Sequence, residues 1–185
     1  MLMIKRMTNP SDELNYIDDR VLIGEDVLLR VTRTGFSLGY LPSSGSEWRR
    51  FQSTSDLNQL MNDSNHSAVF AAYDDDACIG CAAVRVSSSG WGRLVDLRVD
   101  ASHRRMGAGS LLVDACQRFA QSHGMSGVSI ATPDANTVIC QFCEKLGFQL
   151  GGVDRFALAM TESERRKPML RRAGLLTFYR TNEKG

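Results

Sequence analysis

The sequence predicts an α+β protein in which helices layer on a mixed, mostly antiparallel sheet. Three observations carry this. Apolar and polar residues alternate through several stretches of the first half, two stripes with helical i, i+3, i+4 spacing occupy the second half, and glycine-rich or acidic turns separate the segments. A chain of 185 residues, 43% of them hydrophobic, supplies one substantial core and is short for two well-formed domains, so a single domain over 1–185 is expected.

Taken in order, Val27 to Pro42 alternates around Thr34-Gly35 and predicts a hairpin. Ser43 to Ser55 is polar and reads as a loop, and Asp56 to Met61 as a short helix. Ala68 to Tyr73 and Cys78 to Val86 form an antiparallel pair around a solvated acidic turn, Asp74-Asp75-Asp76. The connection Ser87 to Gly92 leads to a strand over Leu94 to Val99. The next helix carries apolar residues at 108, 111, 112, 115, 116 and 119, with Gly124 as its stop. Val128 to Ala131 is a short strand, and Thr132-Pro133-Asp134 starts a second helix with apolar positions 138, 139, 142, 143 and 146, closed by Gly147. Phe148 to Ala159 and Leu175 to Arg180 read as strands on either side of a charged excursion, Thr161 to Arg172.

A formal net charge of +1 gives no global attraction to nucleic acid or to an anionic membrane. No apolar run approaches the roughly 18 residues that span a bilayer, and the segment MLMIKRMTNPSDE has neither the apolar run nor the cleavage pattern of a signal peptide, so a cytoplasmic protein is expected. The five cysteines, at 78, 81, 116, 140 and 143, are expected as free thiols. Cys78 and Cys81 fall on opposite faces of a strand by their odd offset, Cys140 and Cys143 lie about a turn apart on a helix, and no metal site is expected from the two pairs.

The densest signal is the run Val95 to Ala115, VDLRVDASHRRMGAGSLLVDA: an extended strand, a polar turn, and Arg104-Arg105-Met106-Gly107-Ala108-Gly109 opening an amphipathic helix. Glycines at 107 and 109 remove Cβ atoms where backbone must approach a ligand, and the first N–H groups of a helix have no intrahelical partners. With His103 and the arginines beside it, the helix N-terminus favours a pyrophosphate. The spacing is neither the dinucleotide G-x-G-x-x-G nor a Walker loop. Downstream, Asp134 to Phe148, DANTVICQFCEKLGF, places an asparagine at the start of the second helix and Leu-Gly-Phe at its end.

R-x-x-G-x-G after a strand, followed about thirty residues later by N-x-x-x-x-x-F-x-x-x-L-G-F, resembles the GNAT superfamily of acyl-CoA-dependent N-acyltransferases. GFSL at Gly35 to Leu38, SGWGRLVDLRV, and LGFQLGGVDRFAL from Leu146 to Leu158 extend the likeness to the streptothricin acetyltransferases. The resemblance implies a GNAT fold, with central strands splayed to take the pantetheine arm and helices on the flanks. It implies acetyl-CoA as co-substrate, with no metal. Backbone groups of Leu97 and Val99, with Arg98 between them, are expected to bond the pantetheine. Amides from Arg104, Arg105, Met106, Gly107, Ala108, Gly109 and Ser110 are expected to hold the pyrophosphate, and Asn136 to contact the pantetheine or to cap its own helix.

The reaction so implied is direct transfer of an acetyl group to a primary amine of a small molecule, in a ternary complex, with a streptothricin-type antibiotic as candidate acceptor. Catalysis needs an oxyanion donor, a proton acceptor and an acid for the leaving thiolate. The N–H of Val99 is the expected oxyanion donor. The family places a tyrosine acid four residues before the Gly-Phe pair, where this chain has Cys143; that thiol is the candidate acid, or else a core residue or pocket wall. Asp96 is the candidate base, although strand alternation sets it opposite Leu97 and Val99 unless a bulge intervenes. Asp154 is the candidate for the acceptor ammonium, or a strand-entry turn residue. Trp48, Arg49 and Arg50 suggest a less cationic acceptor than streptothricin, or cover for a sheet edge.

Two alternatives accompany this function: a protein or peptide N-acetyltransferase, and a non-catalytic CoA-binding regulatory module, the latter motivated by Cys143 and the absence of an evident base. The basic cluster Arg165-Arg166-Lys167 with Arg171-Arg172 reads as a CoA 3′-phosphate contact or a solvated loop. No nucleic-acid or membrane partner is expected. Family members often form homodimers, and the C-terminal strand is the candidate for pairing across a symmetry axis.

Overall fold

A computed structural model of the chain describes residues 1–51, 55–157 and 174–182. Contacts cluster into two compact units: Met1–Arg20, Arg50–Ser129 and Thr181–Gly185 in the first, Val21–Arg49 and Ile130–Arg180 in the second.

The first unit is built on β1 (Leu2–Met7), β4 (Ser67–Asp74), β5 (Ala77–Val86) and β6 (Gly92–Val99). They lie in the order β1-β4-β5-β6, each neighbouring pair antiparallel, and β7 (Gly127–Pro133) follows β6. The strand β1 was not anticipated. It is held as an edge strand by six register pairs with β4, from Leu2 opposite Asp74 to Met7 opposite Val69.

One face of these strands is covered by α2 (Ala108–Ser122), which buries Ala108, Leu112, Val113, Ala115, Cys116, Phe119 and Ala120. Burying each of the larger of these side chains contributes about 1.5–3 kcal/mol. The stripe is shifted from the expected one: Leu111 is 39% exposed, and Val113 and Ala120 are enclosed instead. The helix and sheet approach so closely that a Cβ at Gly92 would stand 2.5 Å from the Cβ of Ala120. The opposite face carries Leu14 and Ile17, from the 3-10 turn Asp12–Tyr16 and the residue after it, and Leu60 and Met61 of α1 (Leu57–Asn62). These pack on Val69, Ala71, Tyr73, Cys81 and Ala83. The helix α1 starts at Asp56, whose carboxylate accepts from the Asn58 and Gln59 amides at 2.9 and 3.3 Å.

The cysteines at 78 and 81 differ from expectation. A bulge shifts the register between Ala72 and Tyr73, so Tyr73 faces Cys78 while Ala72 faces Gly80, and both thiols pack against the same cluster. One inserted residue, Ile79, restores an even spacing across an odd sequence offset.

The second unit contains the hairpin β2 (Val21–Thr32) and β3 (Gly35–Arg49), α3 (Thr137–Lys145), β8 (Gln149–Asp154) and β9 (Leu175–Thr181), with strand order β7-β9-β8. The segment expected as a loop from Ser43 is strand as far as Arg49. Pairing restarts at Ile23 opposite Glu47 after a break beside Glu25 and Pro42, so a wide irregularity near Gly24 hides the alternation without ending the strand. The helix α3 closes with Phe148 N–H donating to Cys143 O at 2.9 Å and Gly147 N–H to Glu144 O at 3.0 Å, with Gly147 at φ 77°. The strand β8 ends at Asp154 rather than running to Ala159, because the Asp154 carboxylate accepts the amides of Phe156 and Ala157 at 2.8 and 3.0 Å and turns the chain. The antiparallel pairings, two-helix second half and short α1 agree with the α+β class expected from the sequence. Among the described residues no helix is long and apolar enough to cross a membrane.

The Gly92 contact is directly testable. Gly92→Ala is expected to lower stability by about 1–3 kcal/mol in urea denaturation through overpacking, and adding Ala120→Gly is expected to recover part of the loss. A Gly92→Ala protein as stable as the wild type would refute the close approach.

Candidate active site

The strand β6 gives the first unit its chemistry. Asp100 N–H donates to Ile79 O at 2.8 Å, so Asp100 turns its main chain toward β5, and Arg98, opposite Cys81, does the same. Alternate residues of an antiparallel strand face alternate sides. Leu97 and Val99 therefore direct their N–H and C=O groups away from β5, as a main-chain docking edge requires, whereas the main chain of Arg98 does not.

Immediately after β6, a 3-10 turn, Ala101–His103, is capped by Asp100. Asp100 accepts from Ser102 N–H at 3.0 Å, from the Ser102 hydroxyl at 2.5 Å and from Asp18 N–H at 3.0 Å, and its carboxylate stands 3.3 Å from His103 Nδ1. Burial raises its pKa, yet these hydrogen bonds outweigh it and hold the carboxyl at about 2. The chain then passes through left-handed Arg105 (φ 67°) and Gly107 (φ 95°), the N-cap of α2, which has no side-chain cap. The first bond into the helix is Leu111 N–H to Gly107 O at 3.1 Å, which leaves the amides of Ala108, Gly109 and Ser110 without intrahelical acceptors. A Cβ at Gly107 would meet no atom within 4 Å. These donors suit a diphosphate. Arg105, Met106 and Gly107 are exposed, Gly109 and Ser110 half-buried, and Ala108 buried. Arg104 stands apart from the cationic cluster expected at the turn: its Nε donates back to Val99 O at 3.1 Å and its Nη2 to Asp18 O at 3.4 Å.

On the side-chain face, Asp96 and Arg98 point together into a cavity of about 500 Å³. Arg98 Nε and Nη2 bond the two Asp96 oxygens at 3.1 and 3.0 Å, and Asp96 is 7% exposed. Burial pushes the Asp96 carboxyl up, with Arg98 opposing the shift. At the rim Arg50 Nε pairs with Asp19 at 2.5 Å. Four carboxylates, Asp12, Asp19, Asp56 and Asp96, line the space against the two guanidiniums of Arg50 and Arg98. Asp19, Asp18 and Asp100 had no signal in the sequence; Asp18 lies 82 residues from the Asp100 it meets, Asp19 meets Arg50, and no local pattern marks either. Arg50 was noted only together with Trp48 and Arg49.

Asn136, Cys143 and Asp154 belong to the second unit. Asn136, 7% exposed, caps α3 through Ile139 N–H at 3.3 Å. Cys143 is 1% exposed, and burial raises its thiol pKa well above the ordinary value. A thiol so placed is a weaker acid than an ordinary one. Cys140 beside it is likewise pushed up to about 12 by burial. Tyr40 of β3 donates to Glu144 Oε2 at 2.6 Å, and burial first, then Glu144, raises its phenol. Asp154 is exposed, with one carboxylate oxygen engaged in its own turn. The basic cluster Arg165 to Arg172 and Leu158 lie outside the described residues. Among the described residues no group of three or more His, Cys, Asp or Glu side chains is arranged to hold a metal ion.

The sequence profile of the Acetyltransferase (GNAT) family matches residues 38–148, more than half of the chain. The chain belongs to the GNAT family. Among its relatives, a streptothricin acetyltransferase of Escherichia coli is 27% identical over 90 residues, which cover 49% of this chain and 52% of that protein, so the chain matches about half of that relative's length. The GNAT fold extends over nearly all of the chain. A Bacillus anthracis str. Ames protein assigned as a streptothricin acetyltransferase and solved with acetyl coenzyme A superposes with a TM-score of 0.78, covering 99% of this chain and 98% of its own at 19% identity. A nourseothricin acetyltransferase does so with a TM-score of 0.75, covering 97% and 98% at 21% identity.

Asp100 makes an acid-dependent contribution. A carboxyl whose folded pKa lies below its unfolded value stabilises fully above the unfolded pKa of 3.8 and loses that contribution as pH falls through about 2. Asp100→Asn is therefore expected to be less stable than wild type near neutral pH, with the difference in urea midpoint shrinking from pH 4 toward pH 2. A difference that stays constant over that window would show that the Asp100 charge is not what holds the turn.

Proposed function

We propose that the chain is an N-acetyltransferase that moves the acetyl group of acetyl-CoA to the primary amine of a small polar molecule within a ternary complex. The observation that carries this is the double use of β6. Its Leu97 and Val99 main-chain groups face outward beside the open amides of Ala108 to Ser110, while its Asp96 and Arg98 side chains floor a polar cavity. A thioester carrier takes the first set and an amine the second. A volume of about 500 Å³ suits a small molecule.

The amine lone pair attacks the thioester carbonyl, the C–N bond forms, and the C–S bond breaks. The oxyanion of the tetrahedral intermediate lies on the Val99 N–H. The ammonium loses its proton through cavity water to solvent, and the departing thiolate takes its proton from solvent. Cys143, enclosed and hard to deprotonate, is not used as the acid. Asp96 is held by both its oxygens on Arg98, and it shapes the cavity rather than carrying the proton.

The excess of carboxylates over guanidiniums in the cavity favours a cationic acceptor. Streptothricin fits that chemistry, and the name of the Escherichia coli relative points the same way. The test is acetyl-CoA consumption over a panel of amines that includes streptothricin. Turnover is expected with cationic small-molecule amines, and Asp19→Asn is expected to raise their KM about tenfold, equal to ~1.4 kcal/mol, leaving the KM for acetyl-CoA unchanged. Binding of CoA without turnover of any amine would overturn the enzymatic reading and favour a regulatory module.

A further inference from the structure

We propose that Arg104 is a positioning residue for acetyl transfer: its side chain reaches back from the carrier-binding turn to fix the Val99 main chain, not forward to the phosphates. This inference rests on the proposed function and deepens it.

Arg104 follows the 3-10 turn with extended backbone, φ −71° and ψ 160°, which sends its side chain back along the strand it has just left. Its Nε donates to Val99 O and its Nη2 to Asp18 O. The Asp18 acceptor is itself fixed. Asp18 O also accepts Ala101 N–H at 2.8 Å, and Asp18 N–H donates to the Asp100 carboxylate, so the segment that enters the cavity rim at Ile17 and Asp19 is stitched to the turn on both sides. The guanidinium is half-buried within this stitch, whereas Arg105, next in the chain, is exposed.

The consequence follows from strand geometry. Val99 turns N–H and C=O to the same side. A bare carbonyl oxygen there would oppose negative charge developing beside the N–H. The Arg104 bond draws on that oxygen, sets the direction of the Val99 peptide groups, and brings a cation to the place where the oxyanion forms. A planar fork reaches two carbonyls at once, which a lysine ammonium does not do with the same geometry.

Three variants separate this role from phosphate binding: Arg104→Met, Arg104→Gln and Arg104→Lys. The readouts are CoA affinity by calorimetry at low and high salt, kcat and KM with an amine that turns over, and thermal unfolding. Arg104→Met is expected to lower kcat about 10- to 100-fold, the scale of a displaced or weakened oxyanion donor, with the Kd for CoA within about threefold of wild type and the same salt dependence. Arg104→Gln, which keeps one N–H donor at that depth, is expected to recover part of kcat, and Arg104→Lys less. If Arg104→Met fails to fold, the Gln and Lys variants carry the same comparison. Full kcat in a folded variant overturns the inference alone. So does a loss of CoA affinity in Arg104→Met or Arg104→Gln that weakens with salt and is restored by lysine, because that is the behaviour of a phosphate ligand. A wild-type protein that binds no CoA overturns the proposed function and this inference with it.

Discussion

The geometry of the first unit depends on the two-residue period of β6. Fixing the main chain of Asp100 onto Ile79 fixes which residues of the strand face β5 and which face outward. Because side chains alternate in the same period, Asp96 and Arg98 are committed to one face together. A one-residue slip would exchange both sets at once, losing the outward Leu97 and Val99 groups and the ion pair on the cavity floor. The register shift between Ala83 and Val84 is tolerated because it lies upstream of Asp96, where Val95 is absorbed against the apolar cluster.

Packing protects that register from both sides. On one face α2 approaches so closely that only glycine fits at position 92. On the other, the 3-10 turn and α1 cover Tyr73, Cys81 and Ala83 and leave a cavity between their polar ends and the strand. The turn from Asp100 to Gly107 inherits its position from this frame. It is held by main-chain and carboxylate bonds to Asp18, and it carries left-handed residues at 105 and 107 just before the start of α2.

The two side chains expected to move protons are both enclosed: Cys143 is 1% exposed, and Asp96 is 7% exposed and paired with Arg98. The family match spans the R-x-x-G-x-G turn and the second motif helix, and it holds although Cys143 stands where the family places a tyrosine.

By itself the sequence determined the α+β class, the two motif helices with their glycine stops, the strand leading into the R-x-x-G-x-G turn, and family membership. Those features are local: periodicity, caps and left-handed glycines act over a few residues. Asn136 as a cap was legible for the same reason, as an alternative weighed beside a ligand role, whereas Asp154, weighed as a strand-entry turn residue, closes the end of β8 instead. Only the tertiary structure decided the extension of β3 to Arg49, the shared face of Cys78 and Cys81, the backward reach of Arg104, and the joining of Asp18 and Asp19 to the site. Bulges change the parity that alternation relies on, and contacts across eighty residues are set by which surfaces bury together, so neither leaves a mark in any short window of sequence.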